Sequence, residues 1–129
     1  MAALGDIVVD CAHPASLARF WAGVLDSYAV APYDDSEIER LAALGIDDPE
    51  DDPTVLVEGP RGAPRFFFVK VPEEKRGKNR LHLDLRADEP IGELARRLDL
   101  GATVVDDRRI EDHWVVLADP EGNEFCLLS

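Results

Sequence analysis

The sequence predicts an α+β fold, two tandem βαβββ modules that form a curved mixed sheet around a cleft. Two observations predict it. The order strand, helix, three strands occurs twice, over residues 6–71 and again over 80–129, an internal repeat of one supersecondary unit. The chain also closes on WVVLADPEGNEFCLL, residues 114–128, where two apolar runs flank Asp119-Pro120-Glu121-Gly122-Asn123. Proline presets φ there and glycine permits a positive φ, so the stretch reads as a β-hairpin built into the sheet. A chain of 129 residues is long enough to bury a real core as one domain. The expected organisation is a single domain over 1–129, with module 1 at 5–71, a polar linker at 72–79 and module 2 at 80–129.

Residues 6–12, DIVVDCA, are rich in β-branched side chains and read as the first strand, with Asp6, Val8 and Asp10 on one face and Ile7, Val9 and Cys11 on the other. His13-Pro14 opens a helix, with proline in its first turn and His13 at the capping position. Leu17, Phe20, Trp21, Val24 and Leu25 form its apolar stripe. Residues 28–33 read as a second strand. Ser36 is placed to cap a short helix running to Leu44, which Gly45 stops, and the run DDPEDD at 47–52 reads as a solvated loop. A calcium site there lacks the ordered ligand pattern and central glycine. Residues 54–58 and 65–71 form a hairpin joined by Gly59-Pro60-Arg61-Gly62-Ala63-Pro64.

In the second module RLHLDLR, residues 80–86, alternates strictly, with Leu81, Leu83 and Leu85 opposite His82, Asp84 and Arg86. Glu89-Pro90 opens a helix whose stripe is Ile91, Leu94, Ala95 and Leu98, and Gly101 ends it. A strand at 102–105, a charged loop at 106–112 with His113 at its edge, and the closing hairpin follow.

Composition excludes some partners. With 27 acidic against 14 basic residues the net charge is −13, which repels phosphate backbones and anionic lipid alike, so neither nucleic acid nor membrane is an expected partner. The N-terminus lacks the basic and apolar regions of a signal peptide and no apolar run reaches membrane-spanning length, which predicts a cytoplasmic protein. Cys11 and Cys126 each sit in an apolar run without CxxC spacing, the pattern of buried thiols.

A helix covers one face of a βαβββ sheet and leaves the other needing a partner. The strand faces carrying Asp6, Val8 and Asp10, and His82, Asp84 and Arg86, are therefore the expected lining of the cleft. Three successive phenylalanines, Phe66, Phe67 and Phe68, must place at least one ring on that side, and Trp114 is a second aromatic wall. Such a pocket, apolar and aromatic with a few polar groups, suits a small organic molecule. Asp10 and Asp84 can divide acid and base work or pair with Lys70 or Arg86. His82 is either a hydrogen-bonded pocket residue or a metal ligand.

Four segments carry a family resemblance: LARFWAGVLDSY at 17–28, KNRLHLDL at 78–85, LGATVV at 100–105 and the closing hairpin at 114–128. They resemble the vicinal oxygen chelate superfamily, the glyoxalase-like proteins grouped with bleomycin-resistance and dioxygenase folds, over nearly the whole chain apart from 34–53. The resemblance implies metal-ligand positions at Asp6, near Val69, at His82 and at Cys126, with Asp10 an alternative register for Asp6. Val69 has no donor, and Cys126 stands where such relatives carry a glutamate, which removes the obvious general base and favours zinc over hard ions. The leading expectation is thus a glyoxalase-like protein that binds a small organic molecule without a required cofactor, through Asp10, Phe67, Val69, His82, Asp84, Trp114 and Cys126, with catalytic residues and enzymatic activity left open. The alternative is a divalent-metal-dependent isomerase, lyase or dioxygenase with the ion on His82 and Asp6, joined by Cys126. A non-catalytic interaction subunit would have no formed pocket. A homodimer is expected, because such modules bury exposed sheet against a second copy.

Overall fold

The computed structural model describes residues 1–128, the side chains of 90 and 91 excepted. The chain divides into two units, Met1–Glu74 and Lys75–Ser129. In the first, strand β1 (Asp6–Cys11) leads into helix α1 (Pro14–Val24), a short strand β2 (Ala29–Val30), helix α2 (Asp35–Ala43), a 3-10 turn at Pro49–Asp51, and strands β3 (Thr54–Glu58) and β4 (Arg65–Lys70). In the second, β5 (Leu83–Arg86) and helix α3 (Pro90–Leu100) precede β6 (Thr103–Arg108), β7 (Trp114–Ala118) and β8 (Glu124–Leu128). The two four-stranded sheets have the same topology, β1-β4-β3-β2 and β5-β8-β7-β6. In each, the first strand runs parallel to the last and the remaining neighbours are antiparallel. This is the expected mixed α+β architecture of two βαβββ modules.

The first unit's core is the helix stripe pressed on one sheet face. Leu17, Phe20, Trp21 and Val24 are buried against Val55, Val57, Phe66 and Phe68, and each large side chain so buried contributes about 1.5–3 kcal/mol. Register puts Ile7 beside Phe66 and Val9 beside Phe68, on the same face. Trp21 stacks on Phe66 at 6.5 Å between centroids, and Tyr28 meets Phe66 edge-on at 5.7 Å. The Tyr28 hydroxyl donates to the Pro64 carbonyl at 2.7 Å. Its ring lies so close over Gly59 that a Cβ there would come within 2.3 Å of it.

Several sequence expectations need correction. The strand expected over 28–33 is regular only at Ala29–Val30, with one further bond from the Ala31 N–H to the Leu56 carbonyl at 2.9 Å. The α2 cap is Asp34, whose carboxylate accepts from the Glu37 N–H, while Ser36 donates its hydroxyl to Asp34. The run at 47–52 is not wholly solvated, because Asp52 is 1% exposed. Its oxygens accept from the Tyr33 hydroxyl at 2.7 Å, Arg40 at 2.9 Å and the Thr54 N–H at 2.9 Å.

In the second unit, Val115, Leu117, Phe125 and Leu127 are buried on the face toward α3, together with Leu94 and Ala102. The α3 stripe is narrower than expected: Ala95 and Leu98 are exposed, and Arg97 is buried in their stead. The Ile91 side chain lies outside what is described. Arg97 pairs with Glu93, but its buried Nε has no partner among the described residues. The paired strand begins at Leu83 rather than at residue 80, leaving Leu81 exposed. Strand β6 instead continues through Arg108, so the first three residues of the expected charged loop, 106–108, are strand.

Candidate functional site

Each unit has one sheet face its helix does not cover. In the first unit this face carries Asp6, Val8 and Asp10 of β1 beside Arg65, Phe67 and Val69 of β4, with Leu56 and Thr54 of β3 next in register. Phe67 is the phenylalanine on this side, whereas Phe66 and Phe68 are buried. Asp6 is engaged: both carboxylate oxygens accept from Arg65, at 2.8 and 3.0 Å, and this pairing holds its carboxyl below the usual range. The Arg65 guanidinium in turn lies 5.3 Å from the Phe67 ring centroid, a cation–π contact. A cavity of about 370 Å³ opens beside Phe67 and Leu56, edged by Tyr33, Arg40 and Asp52.

The second unit's uncovered face is built by strand parity. Register aligns Asp84 with Cys126, Cys126 with Val116, and Val116 with Asp106; one step along, Leu128 faces Trp114. A bulge between Val104 and Asp106 brings Val105 and Asp106 together to the same cavity wall. The segment before β5 is tied down by Asn79, whose N–H donates to the Glu124 carboxylate at 3.1 Å and whose amide donates to the Glu124 carbonyl at 3.2 Å. Burial pushes the Glu124 carboxyl up, but the backbone donors, Asn79 among them, and Lys75 outweigh it and leave it below its usual range.

This anchoring sets His82 over β8. Its Nε2 lies 3.7 Å from the Cys126 Sγ and its Nδ1 lies 3.4 Å from an Asp84 carboxylate oxygen. Ligand atoms of the three residues all fall within 4.8 Å of one another. Burial, and then the Asp84 carboxylate, pushes the Cys126 thiol up, so without an ion it stays protonated at neutral pH. The three groups line a cavity of about 840 Å³ together with the apolar side chains of Trp114, Val116, Val105 and Leu128.

The structure thus brings together His82, Asp84, Trp114 and Cys126 in the second unit, and sets Asp10, Phe67 and Val69 side by side in the first. Sequence reasoning missed Val116 and Glu124 as lining residues, although each lies two positions from a residue already singled out on the same strand face. It missed Val105 for a different reason, since a bulge has no mark in the alternation. It also missed the Tyr33–Asp52–Arg40 cluster, hidden in a run that composition alone reads as solvated.

A family model described as a glyoxalase-like domain matches residues 6–128. The chain belongs to that family, within the vicinal oxygen chelate superfamily. Solved structures agree on the fold. A glyoxalase/bleomycin resistance protein/dioxygenase family enzyme from Burkholderia phytofirmans PsJN superposes with a TM-score of 0.67 at 17% identity, over 98% of this chain and 97% of that one. The fosfomycin resistance protein FosX from Mesorhizobium loti gives 0.65 at 14% identity, over 99% and 91%. Oxidase ChaP-H2 gives 0.60 at 16%, over 100% and 94%. A comparison with curated proteins gave no significant match. No helix among the described residues is long and apolar enough to cross a membrane.

Members of this superfamily commonly use divalent metals, and the residues present can be tested for that fit. A histidine nitrogen, a carboxylate oxygen and a thiol sulfur gathered within 4.8 Å suit a borderline ion such as zinc. A hard, oxygen-seeking ion would find one carboxylate in the cluster.

Proposed function

We propose that the chain binds a small organic molecule on the uncovered sheet face of its second unit. The cavity of about 840 Å³ carries this reading, because its lining combines apolar side chains, Trp114 among them, with the clustered polar groups of His82, Asp84 and Cys126. Trp114 and Leu128 would hold the apolar body, while His82, Asp84 and Cys126 would orient a polar group. The proposal extends to the first unit's uncovered face, where Asp10, Phe67 and Val69 form a second ligand-contacting surface. The protein is cytoplasmic and homodimeric in this reading.

Trp21 is buried at 4% exposure and Trp114 is 37% exposed, so tryptophan emission separates them. Titrating small aromatic acids and phenols into a Trp21→Phe variant should shift the remaining emission saturably, and Trp114→Ala, which removes that emitter and is followed by titration calorimetry, should weaken binding of the same compound about tenfold or more. Native mass spectrometry of the purified chain adds a check for a co-purifying molecule. No saturable shift with any compound and no bound mass would sink the reading.

The donor cluster favours a second reading, a divalent-metal-dependent enzyme of the isomerase, lyase or dioxygenase class. An ion bound there would polarise a ligand oxygen as a Lewis acid. His82 and Asp84 would hold and orient the ligand's polar end, and the apolar wall would exclude water from it.

A further inference from the structure

We infer that Cys126 is a nucleophile for electrophilic alkenes that enter the second unit's cavity, with His82 as the base that takes its proton and Asp84 as the carboxylate that supports the resulting imidazolium. The inference rests on reading the second unit's uncovered face as a small-molecule site, and it names the class of molecule, a conjugated enone with an apolar body.

The geometry is that of an activated nucleophile. The Cys126 Sγ lies 3.7 Å from His82 Nε2, and the other ring nitrogen, Nδ1, lies 3.4 Å from an Asp84 oxygen. A base thus touches the attacking group, and a third group stands behind the base. The carboxylate beside Nδ1 favours the tautomer that leaves Nε2 free to accept a proton. Register explains how the three meet: Asp84 and Cys126 are partners on adjacent parallel strands, and His82 is two residues from Asp84.

The sulfur is also reachable by an apolar molecule. Cys126 is only 8% exposed, yet it lines the cavity of about 840 Å³ beside Trp114, Val116 and Leu128. Burial and Asp84 keep its thiol protonated at rest, which makes a contacting base a requirement of attack. Cys11 is built differently, since its thiol donates to the Val69 backbone carbonyl at 3.7 Å, an oxygen that cannot carry the proton away. In the step, a sulfur lone pair forms a bond to the β-carbon of the enone, and the alkene π pair moves onto the α-carbon through the enolate. The thiol proton passes to His82 Nε2 and then to the α-carbon, so nothing leaves and no oxidant or reductant is needed. A soft, polarisable sulfur suits this soft carbon.

The test uses the full chain in chelator-containing buffer with two matched probes, benzylideneacetone and its saturated counterpart benzylacetone. Mass spectrometry should show a single adduct per chain, heavier by one whole enone, and peptide mapping should place it on Cys126 with Cys11 unlabelled. The labelling rate should saturate with enone concentration. His82→Gln should lower the saturated rate about 100-fold, and Asp84→Asn about tenfold, both leaving the half-saturating concentration as in the parent. Trp114→Ala should do the reverse, raising that concentration about tenfold while the saturated rate holds. A merely structural role for His82 or Asp84 would not split the two constants in this way. Circular dichroism checks each fold, and the substituted His82 and Asp84 side chains are themselves partly open, at 34% and 58% exposure. Preferential labelling of Cys11, a rate that stays linear and no faster than that of free cysteine, or a His82→Gln variant that reacts as the parent does would each overturn the inference. Calorimetry with the saturated ketone reads the cavity without the reaction. If the ketone binds while the enone leaves no adduct, the nucleophile fails and the small-molecule reading stands; if neither engages the chain, both fail.

Discussion

The two units share a strand order and differ in how they use the polar groups on their uncovered faces. In the first, Asp6 is clamped by Arg65, and Asp52 accepts from Tyr33, Arg40 and Thr54. In the second, His82, Asp84 and Cys126 point at a common space. The helices differ as well, since α1 buries an unbroken apolar stripe and α3 buries an arginine. One topology therefore hosts a module whose carboxylates Asp6 and Asp52 are bonded within it and one whose His82, Asp84 and Cys126 cluster beside a cavity. Stability should reside in the first and ligand chemistry in the second.

Core truncation is the strongest way to break this contrast. Leu17 is fully buried under α1, whereas Leu94 of α3 keeps 8% of its surface exposed. Leu17→Ala should cost about 4 kcal/mol, near the top of the range for buried leucines, and Leu94→Ala about 2 kcal/mol, near its foot. Urea unfolding measures both, and equal losses would remove the difference between the helices. Asp52→Ala comes next at about 3 kcal/mol, because it strips three donors of a buried acceptor. Zinc or ligand titration of that variant should match the parent once it is folded.

Tyr33 sharpens the contrast through pH. Burial and then the hydrogen bond to Asp52 hold its phenol protonated well above the ordinary tyrosine range. The folded-state pKa is raised, so the associated stability is complete below about pH 10 and is lost as pH rises beyond that value. Tyr33→Phe should cost about 1.5 kcal/mol at neutral pH, as expected for a hydrogen bond to a carboxylate, and should flatten the alkaline fall in stability. Denaturant midpoints from pH 8 to 11 give the slope; a parent and a variant that fall in parallel would show that Tyr33 does not carry it.

Much of the fold was legible because local chemistry agreed with the global pattern. The closing turn shows this well: Asp119 accepts from the Glu121 and Asn123 N–H groups, and Gly122 takes the positive φ of 87°. Strand parity likewise placed His82, Asp84, Trp114 and Cys126 toward one space. What composition could not reveal depended on contacts remote in sequence. Asp52 reads as one of a solvated acidic run until Tyr33 and Arg40 fold over it. Nor does the spacing of Leu94 and Leu98 disclose that Arg97, between them, is the side turned inward.

Arg97 gives the smallest and most pointed comparison. Its guanidinium reaches Glu93 one turn back, but the buried Nε has no partner among the described residues, so part of a desolvated cation is uncompensated. Replacing such a group with an apolar chain of similar length is commonly neutral or stabilising, and Glu93, partly exposed, can be solvated when released. Arg97→Met should therefore raise stability by up to about 1 kcal/mol, the opposite sign to every substitution in the first unit's Asp52 cluster. A loss comparable to that of Leu94→Ala would mean that the ion pair, rather than the apolar stripe, holds α3 on its sheet.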